Sequence, residues 1–175
     1  MTRSASLRVR PERPRDRRRV FELNARAFLR PAEAELVDAL RGAGALAFSL
    51  VAEAGGRVLG HVAFSPVRVG EGDAAWQALA LGPLAVDPDH QRTGVGSTLV
   101  RGGLERCRVH RHAAVFVLGH ARYYLRFGFE PAAARGFAYE GGTRFAPAFF
   151  VAELELGALD GRSGVVRYRP EFASL

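Results

Sequence analysis

The chain has 175 residues, 48% of them apolar, and a formal net charge of +7. That length predicts one domain over residues 1–175 with a core of ordinary size, and the composition is that of a globular protein. No apolar run approaches the roughly 20 residues needed to span a bilayer, no apolar signal core follows the arginine-rich start, and the single cysteine, Cys107, excludes an internal disulfide, so the expected location is the cytoplasm, off the membrane.

Residues 7–10 alternate apolar and basic and predict a short strand. Residues 14–28 predict a helix with Val20, Leu23, Ala27 and Phe28 on one side. Arg15, Arg17, Arg18, Arg19 and Arg26 lie on the same segment, and the whole charge excess sits here: residues 1–30 hold ten arginines against three acidic residues, whereas 31–175 hold fifteen of each. No aromatic residues interleave with these arginines as base stacking requires, so the segment reads first as a solvated basic face, with attraction to an acidic partner, a membrane surface or nucleic acid as the alternative. A second helix is predicted over 32–40, ended by Gly42-Ala43-Gly44. Residues 47–52 and 58–69 read as strands joined by a tight turn at Gly55-Gly56. After a turn at Glu71-Gly72-Asp73 a strand runs over 76–86, and Pro83 within it has no N–H to give a ladder, so pairing should break there.

Leu84-Ala85-Val86 then meets an Asp87-Pro88-Asp89 turn and the polar loop Gln91-Arg92-Thr93-Gly94-Val95-Gly96. The loop opens into a helix over 94–109 with Val95, Leu99, Val100, Leu104 and Cys107 on its apolar side. Glycines let a backbone approach a ligand closely, and the N–H groups of a helix's first turn favour an anion. The unit is therefore a candidate pyrophosphate cradle. Residues 113–118 are continuously apolar, as a buried strand requires. A short helix follows over 121–127 and a final strand over 149–156, while 132–147 carries no clear pattern.

Two motifs in this order carry a resemblance. Gln91-Arg92-Thr93-Gly94-Val95-Gly96 resembles the Q/R-x-x-G-x-G/A acetyl-CoA loop of the GNAT superfamily of N-acetyltransferases. Tyr123-Tyr124-Leu125-Arg126-Phe127-Gly128-Phe129 is similar to the aromatic-Tyr-x-x-aromatic/Leu-Gly-Phe signature that follows the next strand in that family. With weaker similarity at the N-terminal strand and helix, the resemblance covers residues 7–129. It implies an α/β fold with a mixed, mostly antiparallel, splayed sheet flanked by helices. It implies acetyl-CoA as co-substrate and transfer of the acetyl group to a primary amine of a small molecule or peptide, by direct attack in a ternary complex. It also implies backbone contacts from Leu84, Ala85 and Val86 to the pantetheine and acetyl groups, and pyrophosphate contacts from the amides of Arg92, Thr93, Gly94, Val95, Gly96 and Ser97. Tyr124 takes the place of the family's acid, and dimeric relatives make a homodimer a further expectation.

Acyl transfer from a thioester needs a neutral amine, a donor for the developing oxyanion, and a proton for the departing thiolate, whose thiol pKa is about 8.5. An amide of Leu84 or Ala85 suits the oxyanion, and Tyr124 suits the thiolate. The base stays open among His61, Glu53, Asp87, His90 and His120, with a water chain as the alternative. One departure stands out. The chain resembles a bacterial subgroup of the family whose pattern reads G-D-P-x-Y-Y-x-x-F-G-F, but here His120 replaces the aspartate and Ala121 the proline, and the asparagine that many relatives place between strand and tyrosine is missing. If that aspartate binds the amine, its loss changes substrate choice or weakens catalysis. Cys107 reads as inert core, and His110 and His112 lack the partners of a metal site. The alternative function is a non-catalytic acyl-CoA-binding or sensing module; a third is a nucleic-acid-associated protein acting through the basic first segment.

Overall fold

The structure, a computed structural model, describes residues 6–175. The class is mixed α/β, with a mostly antiparallel open sheet flanked by helices. Two compact units are woven from separate segments. One takes the residues up to Phe64 with Gly82–Gly103 and Glu171–Leu175, and the other takes Ser65–Leu81 and Leu104–Pro170.

In the first unit, β1 (Arg8–Pro11), β2 (Phe48–Ala54) and the first part of β3 (Arg57–Val69) form an antiparallel ladder, with Val9 opposite Ala52 and Val51 opposite His61. The β2–β3 hairpin turns on Gly55 and Gly56, at φ 56° and 77°. A two-residue turn that matches strand twist needs positive φ at both positions, which glycine takes without strain. Two helices, α1 (Arg17–Phe28) and α2 (Ala32–Gly42), complete this unit. Val20 and Leu23 of α1 bury against Val37, Val51, Val58 and Ala85, and Leu36 and Leu40 of α2 against Ala45 and Phe172. Each such side chain contributes about 2 kcal/mol when fully buried. The helix expected from residue 14 begins at Arg17. Pro14–Asp16 forms a tighter 3-10 turn whose Asp16 carboxylate accepts the Arg13 N–H at 2.8 Å.

The second unit is built on β5 (Ala114–Leu118), which pairs antiparallel with β8 (Phe149–Glu153) over five residues. Here Leu79 and Ala80 of β4 (Trp76–Val86) pair in parallel with Val115 and Phe116. The pairing covers those two residues and gives way just before Gly82-Pro83, as the proline predicts. Short strands finish the unit: β6 (Glu130–Pro131) on β8, and β7 (Phe137–Tyr139) on β9 (Gly164–Arg167), which also pairs with Arg68 and Val69 of β3. The sequence reading lacks β6, β7 and β9, because strands of two to four residues are too short to express an alternating pattern. The helix expected over 121–127 divides into α4 (Ala121–Tyr124) and a 3-10 turn at Leu125–Phe127, stopped by Gly128 at φ 85°. The strand expected over 149–156 ends at Glu153. The long helix α3 (Val95–Val109) buries Val95, Leu99, Val100, Leu104 and Cys107, the face its periodicity predicts.

Candidate acyl-donor loop and proton donor

The first unit contains the strand–loop–helix segment. The end of β4 is anchored by the Asp87 N–H, which donates to the Leu59 carbonyl at 2.8 Å. The Asp87 side chain is 3% exposed. It accepts from the Asp89 N–H and from Arg26 Nη1, each at 3.1 Å, and from Arg19 Nη2. Arg19 Nε also donates to the Val58 carbonyl at 3.1 Å. Burial alone would raise the Asp87 carboxyl; the Arg19 hydrogen bond, the Asp89 N–H and the charges of both arginines outweigh it and hold the group below the usual carboxylate range. The basic face expected on α1 is thus only partly a solvated surface. Arg15, Arg17 and Arg18 are exposed, while Arg19 and Arg26 grip the carboxylate that opens the loop.

Residues 91–94 form an exposed turn with Arg92 at φ 59° and Gly94 at φ 93°. Thr93 Oγ1 donates to the His90 carbonyl at 2.5 Å, which ties the loop to its own backbone. The Gly94 carbonyl accepts the Thr98 N–H at 3.0 Å. The N–H groups of Val95, Gly96 and Ser97 therefore precede the first intrahelical donor and face out of the start of α3, where the helix dipole is positive. The start of α3 lies hard against β3. A Cβ on Gly60 would sit 2.7 Å from Val95 Cγ1 and 3.2 Å from the Ala85 carbonyl, so only glycine lets strand and helix approach this closely. Leu84, Ala85, Val86 and Arg92 to Ser97 are thereby gathered into one frame, and its outward N–H groups fit an anion such as a pyrophosphate.

The second unit contains Tyr124. The His120 carbonyl accepts the N–H groups of Tyr123 at 3.0 Å and Tyr124 at 3.2 Å, which starts α4 immediately after β5. The Tyr124 ring packs against Gly119, where any Cβ would collide with its Cε2. Its edges meet Phe129 and Tyr123, with ring centroids 5.5 and 5.0 Å apart. Burial, and then the neighbouring Tyr123 phenol, push the Tyr124 phenol well above its ordinary range, so it stays protonated. Tyr168, which sequence pattern does not reveal, is a companion. Burial drives its phenol upward, and the phenols of Tyr139 and Tyr124 add to that. It follows a four-residue strand with no motif, so no local signal could have found it.

The candidate bases separate clearly. His61 is fully buried, with Nδ1 3.1 Å from Asn24 Nδ2 and Nε2 2.9 Å from Ser49 Oγ. Burial and the charge of Arg41 push it down to about 3, so it is a neutral core histidine engaged at both nitrogens. Glu53 is held by Arg10 at 2.5 Å and Arg8 at 2.9 Å, and Asp87 by Arg19 and Arg26; both carboxylates are committed to ion pairs. His120 is exposed at the N-cap of α4, and His90 is half-buried. Burial pushes the Cys107 thiol up to about 12, which leaves it inert. Among the described residues no group of three or more His, Cys, Asp or Glu is placed to hold a metal ion, and no helix is long and apolar enough to cross a membrane.

The family model for the acetyltransferase (GNAT) domain matches residues 8–132. The chain belongs to the GNAT family of acetyltransferases. Among its relatives is the protein named uncharacterized N-acetyltransferase YhbS of Escherichia coli strain K12, 41% identical over 166 residues, which are 94% of this chain and 97% of YhbS. The crystal structure of YhbS from Escherichia coli in complex with CoA matches with a TM-score of 0.92 at 37% identity, covering 99% of this chain and 95% of that one. A GNAT family acetyltransferase from Brucella melitensis in complex with acetyl-CoA matches with a TM-score of 0.79 at 35% identity, covering 96% and 99%.

Proposed function

We propose that this chain is an acetyl-CoA-dependent N-acetyltransferase that moves an acetyl group to a primary amine of a small molecule or peptide, by direct attack in a ternary complex in the cytoplasm. The observation that carries the reading is the outward row of N–H groups from Val95 to Ser97 on a frame braced by Asp87 and Gly60. Two relatives at 35% identity or more bound to CoA or acetyl-CoA support it.

Acetyl-CoA supplies a thioester carbon open to attack. The amides from Arg92 to Ser97 cradle the pyrophosphate, with the dipole of the 15-residue α3 behind them. The backbone of Leu84, Ala85 and Val86 holds the pantetheine arm and acetyl group, and the N–H of Leu84 or Ala85 meets the developing oxyanion. Tyr124 offers its proton to the departing sulfur. The amine gives its own proton to solvent or, alternatively, to the exposed His120. The chain acts as one domain in this reading, since β3, β4 and α3 each carry residues of both compact units.

The test is thiol release from acetyl-CoA against a panel of primary amines. Tyr124→Phe should lower kcat by about a hundredfold and leave the CoA dissociation constant within about twofold, because the hydroxyl acts on the sulfur only as the bond breaks. Equal turnover by the variant removes Tyr124 from the mechanism. Tight CoA binding with no turnover of any amine leaves the binding-module alternative.

A further inference from the structure

Two surface cavities of similar size are lined by arginines, and the bonding of those arginines separates them. In the second unit, a cavity of about 510 Å³ takes in Arg68, Arg167 and Arg169. Its cations are already bonded: Arg68 donates to the Gly72 carbonyl at 3.2 Å, Arg167 to the Gly70 carbonyl at 3.3 Å and to Glu71 at 2.6 Å, and Arg169 is engaged as well. In the first unit, a cavity of about 520 Å³ has the clamp around Asp87 as one wall, with Arg19, Arg26 and Asp89. The 3-10 turn before α1 adds Arg15, and the start of β3 adds Arg57. Every residue of this lining belongs to the first unit.

The charges around the second of these cavities do not all cancel. Arg10 takes Asp16 at 2.6 Å and Glu53 at 2.5 Å, and Arg19 and Arg26 close on Asp87, so three arginines match three carboxylates. Arg15 and Arg57 are left. Both are exposed, and among the described residues neither has a hydrogen bond or an ion pair. Asp89 is the remaining carboxylate of the lining; it is 76% exposed and touches Arg26 at 3.5 Å. Two unbonded guanidiniums on the wall of a cavity this size suit a small anion, since the guanidinium fork matches carboxylate and phosphate oxygens.

Arg26 ties this cavity to the glycine loop. Arg19 is held twice, by the Val58 carbonyl at 3.1 Å and by Asp87. Arg26 is 49% exposed and divides between Asp87 at 3.1 Å and Asp89 at 3.5 Å. An anion on Arg15 and Arg57 is a further acceptor in the same cavity, and contact with it competes with the Arg26 bond to Asp87, the residue that opens the loop. A ligand that loosens the clamp weakens CoA binding, and CoA weakens that ligand by the same factor.

We propose that this cavity is a second anion site, separate from the pyrophosphate cradle, that takes a small carboxylate or phosphate monoester and lowers the affinity of the loop for CoA by drawing Arg26 from Asp87. The site itself stands on the cavity and its unbonded arginines. Its effect on CoA rests on the acetyltransferase reading.

The experiment has two arms on the full chain, both at matched ionic strength. In the first, propyl phosphate, butyrate and neutral butyramide are titrated calorimetrically into the protein. An anion should bind saturably and butyramide should not, and the tighter of the two anions names the class. The double variant Arg15→Gln with Arg57→Gln should bind that anion about tenfold more weakly or worse, while its CoA affinity stays within about twofold, which also establishes that the variant is folded. In the second arm, CoA is titrated with and without saturating anion. The anion should raise the CoA dissociation constant about fivefold in the native chain and leave it unchanged in the double variant. Arg26→Gln should bind CoA more weakly and no longer respond to the anion. No saturable binding of either anion, or equal binding by the double variant, as an anion seated in the pyrophosphate cradle would give, overturns the site. An anion that binds through Arg15 and Arg57 and leaves CoA affinity untouched overturns the coupling. A chain that binds the anion through these arginines and never binds CoA contradicts the acetyltransferase reading and upholds the site.

Discussion

The two units position their functional groups by opposite means. The first braces backbone with ions. Arg10 joins Glu53 at 2.5 Å and Asp16 at 2.6 Å, Arg41 joins Glu12 at 2.7 Å, and two arginines close on Asp87 just ahead of the glycine loop. The second braces side chains with rings. Trp76 meets Phe137 at 6.2 Å, Phe137 meets Phe116 at 5.2 Å, Phe116 meets Phe149 at 5.5 Å, and Phe149 meets Tyr139 at 5.5 Å. Binding a pyrophosphate needs N–H groups at fixed positions, which charges clamp well. Tyr124, the proposed proton donor, is kept neutral by burial, with Tyr123 and Phe129 as its own ring neighbours.

The contrast breaks most sharply in the second unit. Phe116→Ala empties a fully buried ring site and should cost about 4 kcal/mol, lowering Tm by roughly 8–16 °C, and added salt should leave that loss unchanged. A calorimetric scan at low and high salt measures it. A loss under about 1 kcal/mol would mean that the ring wall does not carry this unit.

In the first unit, acid is the probe. His61 stays neutral in the folded state down to about 3 but takes a proton in the unfolded chain below 6.5. Protons then favour the unfolded chain as pH falls, so stability declines from pH 6.5 downward, by about 2 kcal/mol at pH 5. His112 of the second unit, half-buried and also lowered, adds a smaller decline in the same direction. Urea unfolding across this range should show the decline, and His61→Gln should flatten most of it. The carboxylates of Asp16, Glu53 and Asp87 are held low, so their contribution is present above about pH 4 and lost below it. A smaller effect follows from Asp87→Asn, which keeps the shape and removes the charge. Since Arg19 and Arg26 are 30% and 49% exposed, we expect about 1–2 kcal/mol, shrinking in 1 M salt, with a weaker grip on CoA. The smallest expected effect is none: with the Tyr124 phenol pushed up, its proton stays as pH rises, and kcat should show no basic limb below about pH 10. A limb near pH 9 would assign the proton to another group.

Legibility in the sequence follows the same division. The loop is a contiguous run, and local chemistry announces it: an apolar strand end, an Asp-Pro-Asp turn, glycines and a helix start. Tyr124 is legible through its motif, and Cys107 through its place on the helix's apolar side. The Asp87 clamp was legible only as charges on separate segments, because Arg19 and Asp87 are 68 residues apart. The cavity lined by Arg68, Trp76, Arg167, Tyr168 and Arg169 was only half legible. Arg68 and Trp76 stand in strands the sequence does announce, whereas Arg167, Tyr168 and Arg169 belong to a four-residue strand and the chain just after it, and what joins the two sets is tertiary pairing of β9 with β3. His61 misleads for the same reason: a histidine in an apolar strand can be core or base, and only Asn24 and Ser49 across the fold decide it.

The most direct test of the account is isothermal titration of the chain with acetyl-CoA and with CoA, alongside Gly94→Val. Gly94 sits at φ 93°, a conformation that strains any residue bearing a Cβ, so the variant displaces the loop's N–H groups. The account predicts saturable binding of both ligands by the native chain and at least a tenfold loss in the variant with its circular dichroism unchanged. Native protein that releases no heat with either ligand, or a variant that binds them equally well, would contradict it.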